Sequence, residues 1–529
     1  MIRRAAFHPL LIAAFPVIAL WSGNLNEVRF GDVWQSLLTV VAIAAAVYGV
    51  LTLVFRGDSR RAAIVASAVA AYALLYGHVW ALVNRAIAEH WILLIIWTLL
   101  GIGVVYAVVR TKYLAETTSI LNGLGLVLVV VALVPIVNHA FTGESRAAPP
   151  DREDPVVEDV SDRDLYYIVL DRYGSQRSLE ALFDYDNSPF MEDLEDRDFT
   201  IGYDSLANYP KTAHSLAASL NLEYLDDLAT PANRSSSDWG PVYRRLRDHR
   251  LGRVLTAAGV QYVHVGTWWN PTETSVSADV TYKYGSSSEF SQVLYYTTIV
   301  PGFRAALGLG GDRDTRLLKR SSTLYQFDVL DQLARQDPRR PRFVFAHITI
   351  PHEPYVFAAD GSLVTQEMED KRTRALNYAN QVEYANQRIR ELFDVLLDRP
   401  ESERPIIVLQ ADEGPHPVRY ERYERRFEWD EAELAELQEK LRILNAYYLP
   451  GSDLEPRRDI TPVNTFRMIL DEYYGTDLGQ LPDEVYIFLD GYHLYDYVEV
   501  TDFVDGDEML PDPYEGQWRR GRGPQEGEP

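Results

Sequence analysis

LYYIVLDRYG, residues 165–174, is a run of six apolar residues of β-branched and aromatic type that ends on Asp171. A strand without polar alternation is one buried on both faces, as in sheets covered by helices on either side. An acid at the carboxyl end of such a strand stands where open α/β sheets hold their ligands, although a solvated turn acid reads the same way in isolation. Further runs of strand type lie at 261–265, 343–350, 406–410 and 444–449, and a shorter one at 199–206. Helical patterns separate them, notably 242–258 and 371–397. In the second, Leu376, Val382, Ile389, Leu392 and Leu396 fall at core spacing. Strands alternating with helices predict an α/β domain with a mostly parallel sheet covered by helices on both faces. Residues 271–325, rich in Tyr, Ser and Gly, carry no pattern that assigns them; an insertion near the site is one reading.

The ends of these strands carry the chemistry. NYPKTAHSLAASLN, residues 208–221, follows the 199–206 run and opens a helix at or near Thr212. Free backbone N–H groups and the positive end of the macrodipole favour an anion there. A threonine hydroxyl is a poor nucleophile until a base or a metal activates it. Helix capping by Thr212 or Ser215 is the plainer reading of that stretch. The 343–350 run leads into PHEPY, giving His347 inside the strand and His352 between two prolines. His347 reads equally as a hydrogen-bonded core residue and His352 as a rigid-turn residue. The 406–410 run leads into ADEGPHP, giving Asp412, Glu413 and His416. Hard carboxylate oxygens with imidazole suit Zn²⁺, Mn²⁺ or Mg²⁺. In a parallel sheet Asp171, His352 and Asp412–Glu413 share one edge with the Thr212 helix start. A divalent metal, an activated threonine and histidines for oxyanion binding or proton transfer together suit attack on tetrahedral phosphorus or sulfur.

The 529 residues exceed one ordinary domain, carry a net charge of −25 and include no cysteine. Disulfides, Cys-ligated zinc and a thiol nucleophile are thereby excluded. Residues 1–140 hold nine Lys and Arg against five Asp and Glu, a balance of +4, and the remainder is −29. Such an acidic domain repels nucleic acid. Residues 1–140 contain five apolar runs, about 7–22, 34–55, 62–83, 91–109 and 119–139, most near the ~20 residues that cross a bilayer. The first is short and contains Pro16. Trp21, Trp34, Trp80 and Trp91 lie near run ends, as interface anchors do. Arg3, Arg4, Arg56, Arg60, Arg61, Arg110 and Lys112 fall on alternate loops, against Arg29 and Arg85 on the others. The positive-inside rule therefore places the N-terminus in the cytoplasm and, with five crossings, everything after residue 140 outside. His78, Asn122 and Asn138 are the notable polar interruptions. They form no charged relay, so the bundle reads as an anchor. Residues 141–162, rich in Pro and acid, read as a linker, 163–505 as the catalytic domain and 506–529 as a disordered tail.

This order of motifs resembles the alkaline phosphatase superfamily, and most closely its membrane-anchored sulfatase-like branch of lipoteichoic acid synthases and phosphoethanolamine transferases. It is also similar to sulfatase-like proteins with a VNTFR-type motif, here 463–467, followed by Leu-Pro-Asp at 481–483. The resemblance implies that Asp171, Thr212, Asp412 and Glu413 bind the metal, and that Thr212, in KTAHS, is the nucleophile of a covalent intermediate. His352 is implied to contact the substrate phosphate, with His416 as a second substrate-side histidine. Glu413 departs from the family, which has His after the Asp at this position. No Cys or Ser stands in the Cys/Ser-x-Pro-x-Arg context that a formylglycine sulfatase needs. The expected function is transfer of a phosphate-linked head group from a membrane phospholipid or lipid-linked substrate to a cell-envelope acceptor. A phosphodiesterase or phosphatase with water as acceptor would use the same residues. A degenerate binding protein is the reading that Glu413 keeps open.

Overall fold

The structure, a computed structural model, describes residues 5–142 and 154–504 apart from 26, 29, 85, 86, 88, 286, 287, 310 and 311. The tail expected at 506–529, residues 143–153 of the 141–162 linker, and Arg3, Arg4, Arg29 and Arg85 lie outside the described residues. The chain divides into two compact units. One comprises Met1–Ala148 and Ser286–Thr315, the other Pro149–Gly285 and Arg316–Pro529.

The first unit holds α1 (His8–Gly23), α2 (Phe30–Val54), α3 (Ser59–Leu74), α4 (Tyr76–Val83), α5 (His90–Arg110) and α6 (Leu114–Thr142). Helix α1 packs against α2, α3 and α6. Among the described residues three helices, α2, α5 and α6, are long and apolar enough to cross a membrane, and α3 with α4 makes a fourth if that pair, bent by 44°, is one span. The expectation of five crossings is corrected at α1. Its 16 residues, with Pro16 inside, rise about 24 Å, less than the ~30 Å of a hydrocarbon core. Asn122 has a structural role. Its Oδ1 accepts the N–H groups of Phe7 (3.2 Å) and His8 (3.0 Å), and its Nδ2 donates to the Ala5 carbonyl (2.9 Å), tying α6 to the free start of α1.

The second unit is built on a sheet of β1 (Leu165–Leu170), β2 (Thr200–Ile201), β3 (Gln261–Val265), β4 (Val280–Tyr282), β5 (Arg342–Ile348), β6 (Ile406–Ala411) and β7 (Asn445–Tyr448), in the order β2-β7-β6-β1-β5-β3-β4. The five strands from β6 to β4 run parallel; β7 is antiparallel to β6, and β2 to β7. The sheet is therefore mixed, parallel from its centre to the β4 edge and antiparallel at the β7–β2 edge. Every residue of β1, β5 and β6 is buried, which the unbroken apolar runs require. In register, Leu170 lies beside both Ile348 and Ala411. The carboxyl ends of the three central strands are thus level, and Asp171 and Asp412 leave the sheet side by side.

Three local expectations change. The 199–206 strand is reduced to Thr200–Ile201. The chain turns at Gly202, where the Ser205 N–H bonds the Gly202 carbonyl, and pairs again only at an isolated bridge from Leu206 to Arg442, outside the strands. The 242–258 helix is two, Gly240–Arg247 and Arg250–Ala257, because His249 is extended and its Nδ1 accepts the Gly252 N–H at 3.0 Å as an N-cap. The 371–397 helix starts at Arg374, capped by Thr373. Val382, Ile389, Leu392 and Leu396 are buried there, whereas Leu376, in the first turn, is exposed.

Burial also sets an acid limit on this unit. His249 and His264 bond Tyr262 and the Thr272 carbonyl, and desolvation lowers them to about 3 and about 4. The unfolded chain binds protons at these sites from about pH 6.5 downward while the folded chain does not. Their contribution is therefore full above pH 6.5 and is lost as pH falls towards 4, at about 1.4 kcal/mol per pH unit for each group. We expect the melting temperature to fall between pH 7 and 5, and the fall to shrink in His249→Gln. An unchanged slope in that variant would count against the assignment.

Candidate active site

Asp171, His347 and Asp412, all buried, each offer a ligand atom within 4.8 Å of the others. Level strand ends supply the two acids, and His347 comes from the last turn of the pleat in β5, one residue before its end. His347 Nδ1 bonds Thr272 Oγ1 at 3.0 Å, which fixes the ring and turns Nε2 towards Asp171 Oδ2 at 3.6 Å. Burial lowers His347 to about 4, so it is neutral near pH 7, the form that binds a metal. Burial first, and then the Asp412 carboxylate, push the Asp171 carboxyl well above the usual range. Asp171 Oδ1, His347 Nε2 and Asp412 Oδ2 are buried without a hydrogen-bond partner. Three converging orphan acceptors are costly unless a cation joins them, so the donor set fits a divalent ion.

Glu413 points into a different set of contacts. Its Oε1 meets Lys440 Nζ at 2.7 Å, Arg172 Nε at 3.3 Å and His416 Nε2 at 3.4 Å, while Oε2 has no partner. Lys440 is fully buried, its ammonium also donates to the Gly414 carbonyl (3.1 Å), and desolvation lowers it to about 8. The 412–416 turn lies against the 439–440 backbone, where a Cβ on Gly414 would collide with the Glu439 carbonyl. At the position where the resemblance implies a His, this chain has a carboxylate matched to a buried lysine. Glu413→Gln strands that ammonium without a counter-charge, and we expect it to destabilise the fold by about 3–5 kcal/mol in urea titration. Unchanged stability with loss of bound metal would make Glu413 chiefly a ligand.

Arg172 links the two acid groups. Its φ of 63° is left-handed, a conformation that costs about 1 kcal/mol or more in a residue with a Cβ. The turn directs its N–H to Asp412 Oδ1 at 3.0 Å, and its guanidinium to Glu413 and Glu353. The Tyr378 hydroxyl holds the Arg172 carbonyl at 2.6 Å. His352 is tied in by its backbone, its N–H donating to the Asp171 carbonyl (3.0 Å) and its carbonyl accepting from Gln381 (2.9 Å) and Lys319. The His352 and His416 rings lie 6.5 Å apart. Burial first, then Arg172 and other cations, hold both histidines well below their ordinary value.

Thr212 is the first residue of the Thr212–Asn221 helix and is half-buried; Lys211 is the N-cap, with no side-chain cap bond. Ser215 Oγ has no partner either, so among the described residues neither hydroxyl caps the helix. Lys211 brings the helix start to the Asp412 loop: its Nζ lies 3.1 Å from Glu424 and 4.6 Å from the Tyr420 ring, which stacks edgewise on His416 at 4.5 Å. Against desolvation, Tyr420, Glu424 and Glu413 together hold the Lys211 ammonium above its ordinary value.

The VNTFR stretch positions this helix. Asn208 Oδ1 accepts the Val463 N–H (2.8 Å) and its Nδ2 donates to Thr461 Oγ1 (2.9 Å). Asn464 Nδ2 donates to the Leu481 carbonyl and to Asp483 Oδ1, both at 2.9 Å, which accounts for Leu-Pro-Asp at 481–483. Arg467 reaches the Leu222 carbonyl at the far end of the Thr212 helix (2.9 Å). The residues that sequence reasoning missed are the cations Arg172, Lys211, Lys319 and Lys440, and His347 as a member of the group that could hold a metal. Arg172 and Lys211 adjoin Asp171 and Thr212, which was the available signal; nothing local marks Lys319 or Lys440.

The family model described as Sulfatase matches residues 166–439, the part of the chain that carries Asp171, Thr212, His352 and Asp412, and it agrees with the resemblance read from those motifs. No curated protein matches the sequence. Among solved structures, the C-terminal periplasmic domain of EcEptC from Escherichia coli, in complex with Zn, is 12% identical, covers 69% of this chain and 99% of its own, and gives a TM-score of 0.44. The integral membrane lipooligosaccharide phosphoethanolamine transferase A from Neisseria meningitidis is 12% identical over 90% of this chain and 96% of its own, with a TM-score of 0.42. A putative sulfatase, yidJ from Bacteroides fragilis, is 11% identical over 65% and 83%, with a TM-score of 0.36.

Proposed function

Since this chain belongs to the Sulfatase family, we propose that it is a metal-dependent phosphotransferase. It moves a phosphate-linked head group from a membrane phospholipid to an extracytoplasmic, cell-envelope acceptor through a covalent adduct on Thr212. The observation that carries this reading is the convergence of three unpartnered ligand atoms, on Asp171, His347 and Asp412; the uncapped Thr212 helix supports it through Lys211, whose ammonium feels the Glu413 carboxylate next to Asp412. The apolar helices of the first unit favour a lipid donor over a soluble one.

Asp171, His347 and Asp412 would hold a divalent ion, Zn²⁺, Mn²⁺ or Mg²⁺, with Thr212 and the free Oε2 of Glu413 as further oxygen donors. When bound, such an ion lowers the pKa of a nearby hydroxyl and offsets charge on phosphate oxygens. The protein's own groups do the rest. The free N–H groups of the Thr212 helix, with Lys211 and Arg172, draw the phosphate to the edge. Thr212 Oγ1 gives up its proton and bonds to phosphorus as the bond from phosphorus to the lipid glycerol oxygen breaks, and the departing glycerol oxygen takes a proton. His352 and His416, both neutral, donate hydrogen bonds to the phosphate oxygens. In the second half an acceptor hydroxyl loses its proton and bonds to phosphorus, and Thr212 Oγ1 departs and is reprotonated.

Membranes holding the protein, given a phospholipid with an isotope-labelled head group and no acceptor, test this. Trypsin cleavage after Lys211 and Arg234 releases the 212–234 peptide with Thr212 at its start. The expected result is that peptide heavier by the labelled phosphate-linked group. Head-group release at an undiminished rate with no adduct in quenched samples would overturn the covalent route.

A further inference from the structure

Residues 288–309, which follow β4 in the chain, belong to the unit of the membrane helices and form the helices Glu289–Thr297 and Val300–Ala306. Their inner face is docked. Phe290 and Leu294 are buried against Val17 and Val33, and Ile299 against Tyr76, Leu93 and Leu94. Ser291 Oγ bonds Ser36 Oγ at 3.0 Å, and the Ile299 N–H donates to the Ala73 carbonyl at 2.8 Å. Two glycines allow the close approach. A Cβ on Gly77 would collide with the Tyr296 carbonyl, and one on Gly302 with the Tyr76 ring.

The opposite face is apolar as well. Val293 and Tyr296 are three residues apart on one helix, Val300 and Phe303 follow on the next, and Leu307 is its C-cap. They are exposed by 44%, 38%, 45%, 43% and 69%, and Leu309 by 62%. A soluble surface rarely leaves such a row uncovered. The docking partners identify what covers it. The start of α2, the junction of α3 with α4, and the start of α5 are the helix ends opposite the loops that carry Arg56, Arg60, Arg61, Arg110 and Lys112. By the positive-inside rule that is the outer side. On the same helices the lipid-facing surface continues through Leu82, Trp91 and Ile95, all exposed.

We infer that the 289–309 excursion is a monotopic membrane element. Its outer row of Val293, Tyr296, Val300, Phe303, Leu307 and Leu309 would be seated among the lipids of the outer leaflet, at the boundary between head groups and acyl chains. The catalytic half of the chain would then carry its own lipid contact, beyond the spanning helices. This inference rests on the membrane reading of the first unit and not on the chemistry assigned to Thr212.

The absence of cysteine makes single-site labelling direct. Phe303→Cys, Leu307→Cys and Val300→Cys in the full chain would be spin-labelled in vesicles of phosphatidylethanolamine and phosphatidylglycerol. Leu99→Cys, exposed on α5, serves as the lipid control and Val276→Cys, exposed in the sheet unit, as the water control. Collision with oxygen and with a water-soluble nickel chelate is then compared. The expected result is an oxygen-to-nickel ratio at 300, 303 and 307 several-fold above that at 276 and approaching that at 99. A ratio equal to that at 276 places the row in water and overturns the inference. Low accessibility to both reagents means that protein, such as a second copy, covers it, and overturns it equally.

Discussion

Thr212→Ala is expected to lose turnover by a factor on the order of 10³ or more while the chain stays folded. The two halves of that result have separate causes. Thr212 is half-buried at the first position of its helix, where Lys211 is the N-cap and no side-chain cap bond exists. Removing the hydroxyl therefore empties no core volume and strands no partner, and the cost in stability should stay within about 1 kcal/mol. The chemistry has no substitute. Ser215 lies one turn further along, about 4.5 Å in rise, and its Oγ is buried inside the helix packing. Thr212→Ser should keep partial activity, since a primary hydroxyl can be activated in the same way. Turnover of a phosphodiester by Thr212→Ala at the wild-type rate, with metal supplied, would end the threonine-nucleophile reading.

The central strands and the acids that follow them were legible because burial on both faces leaves an unmistakable apolar run. Leu165–Leu170 and Ile406–Ala411 have no exposed residue, and each is followed at once by a carboxylate. What lay outside the reading has physical reasons. The direction of β7 depends on how the chain returns from the Leu434–Leu441 helix, and its apolar run is the same whichever way it points. The partnership of Glu413 with Lys440 joins residues 27 positions apart through a turn that only the fold closes. Residues 271–325 gave no pattern because the stretch serves two units. Its middle is apolar on both faces, one against the membrane helices and one exposed, so no amphipathic period stands out. His347 read as a core residue because it sits inside β5. Nothing in the sequence says that its free Nε2 faces Asp171.

Metal content is the second large effect. The purified chain is expected to bind about one divalent ion, and Asp412→Ala to lose most of that affinity, because one of three convergent ligands disappears. His347→Ala should act in the same direction. Asp171 and Asp412 are buried together, and without a cation the Asp171 carboxyl is held protonated well above the usual carboxylate range. Metal binding therefore competes with a proton at Asp171, and affinity should fall as pH is lowered through that site's elevated range. An ion at a hundred times its Kd adds about 2.7 kcal/mol to stability, worth a rise of roughly 4 °C in melting temperature for a domain of this size. A chelator should reverse that rise in the wild type and have no effect on Asp412→Ala. Arg172 loses an acceptor for its N–H in Asp412→Ala, so Asp412→Asn, which keeps a carbonyl oxygen in place, separates a folding defect from loss of a ligand. Metal content in Asp412→Asn equal to wild type, with the chelator still lowering its melting temperature, would move the ion away from the Asp171–His347–Asp412 cluster.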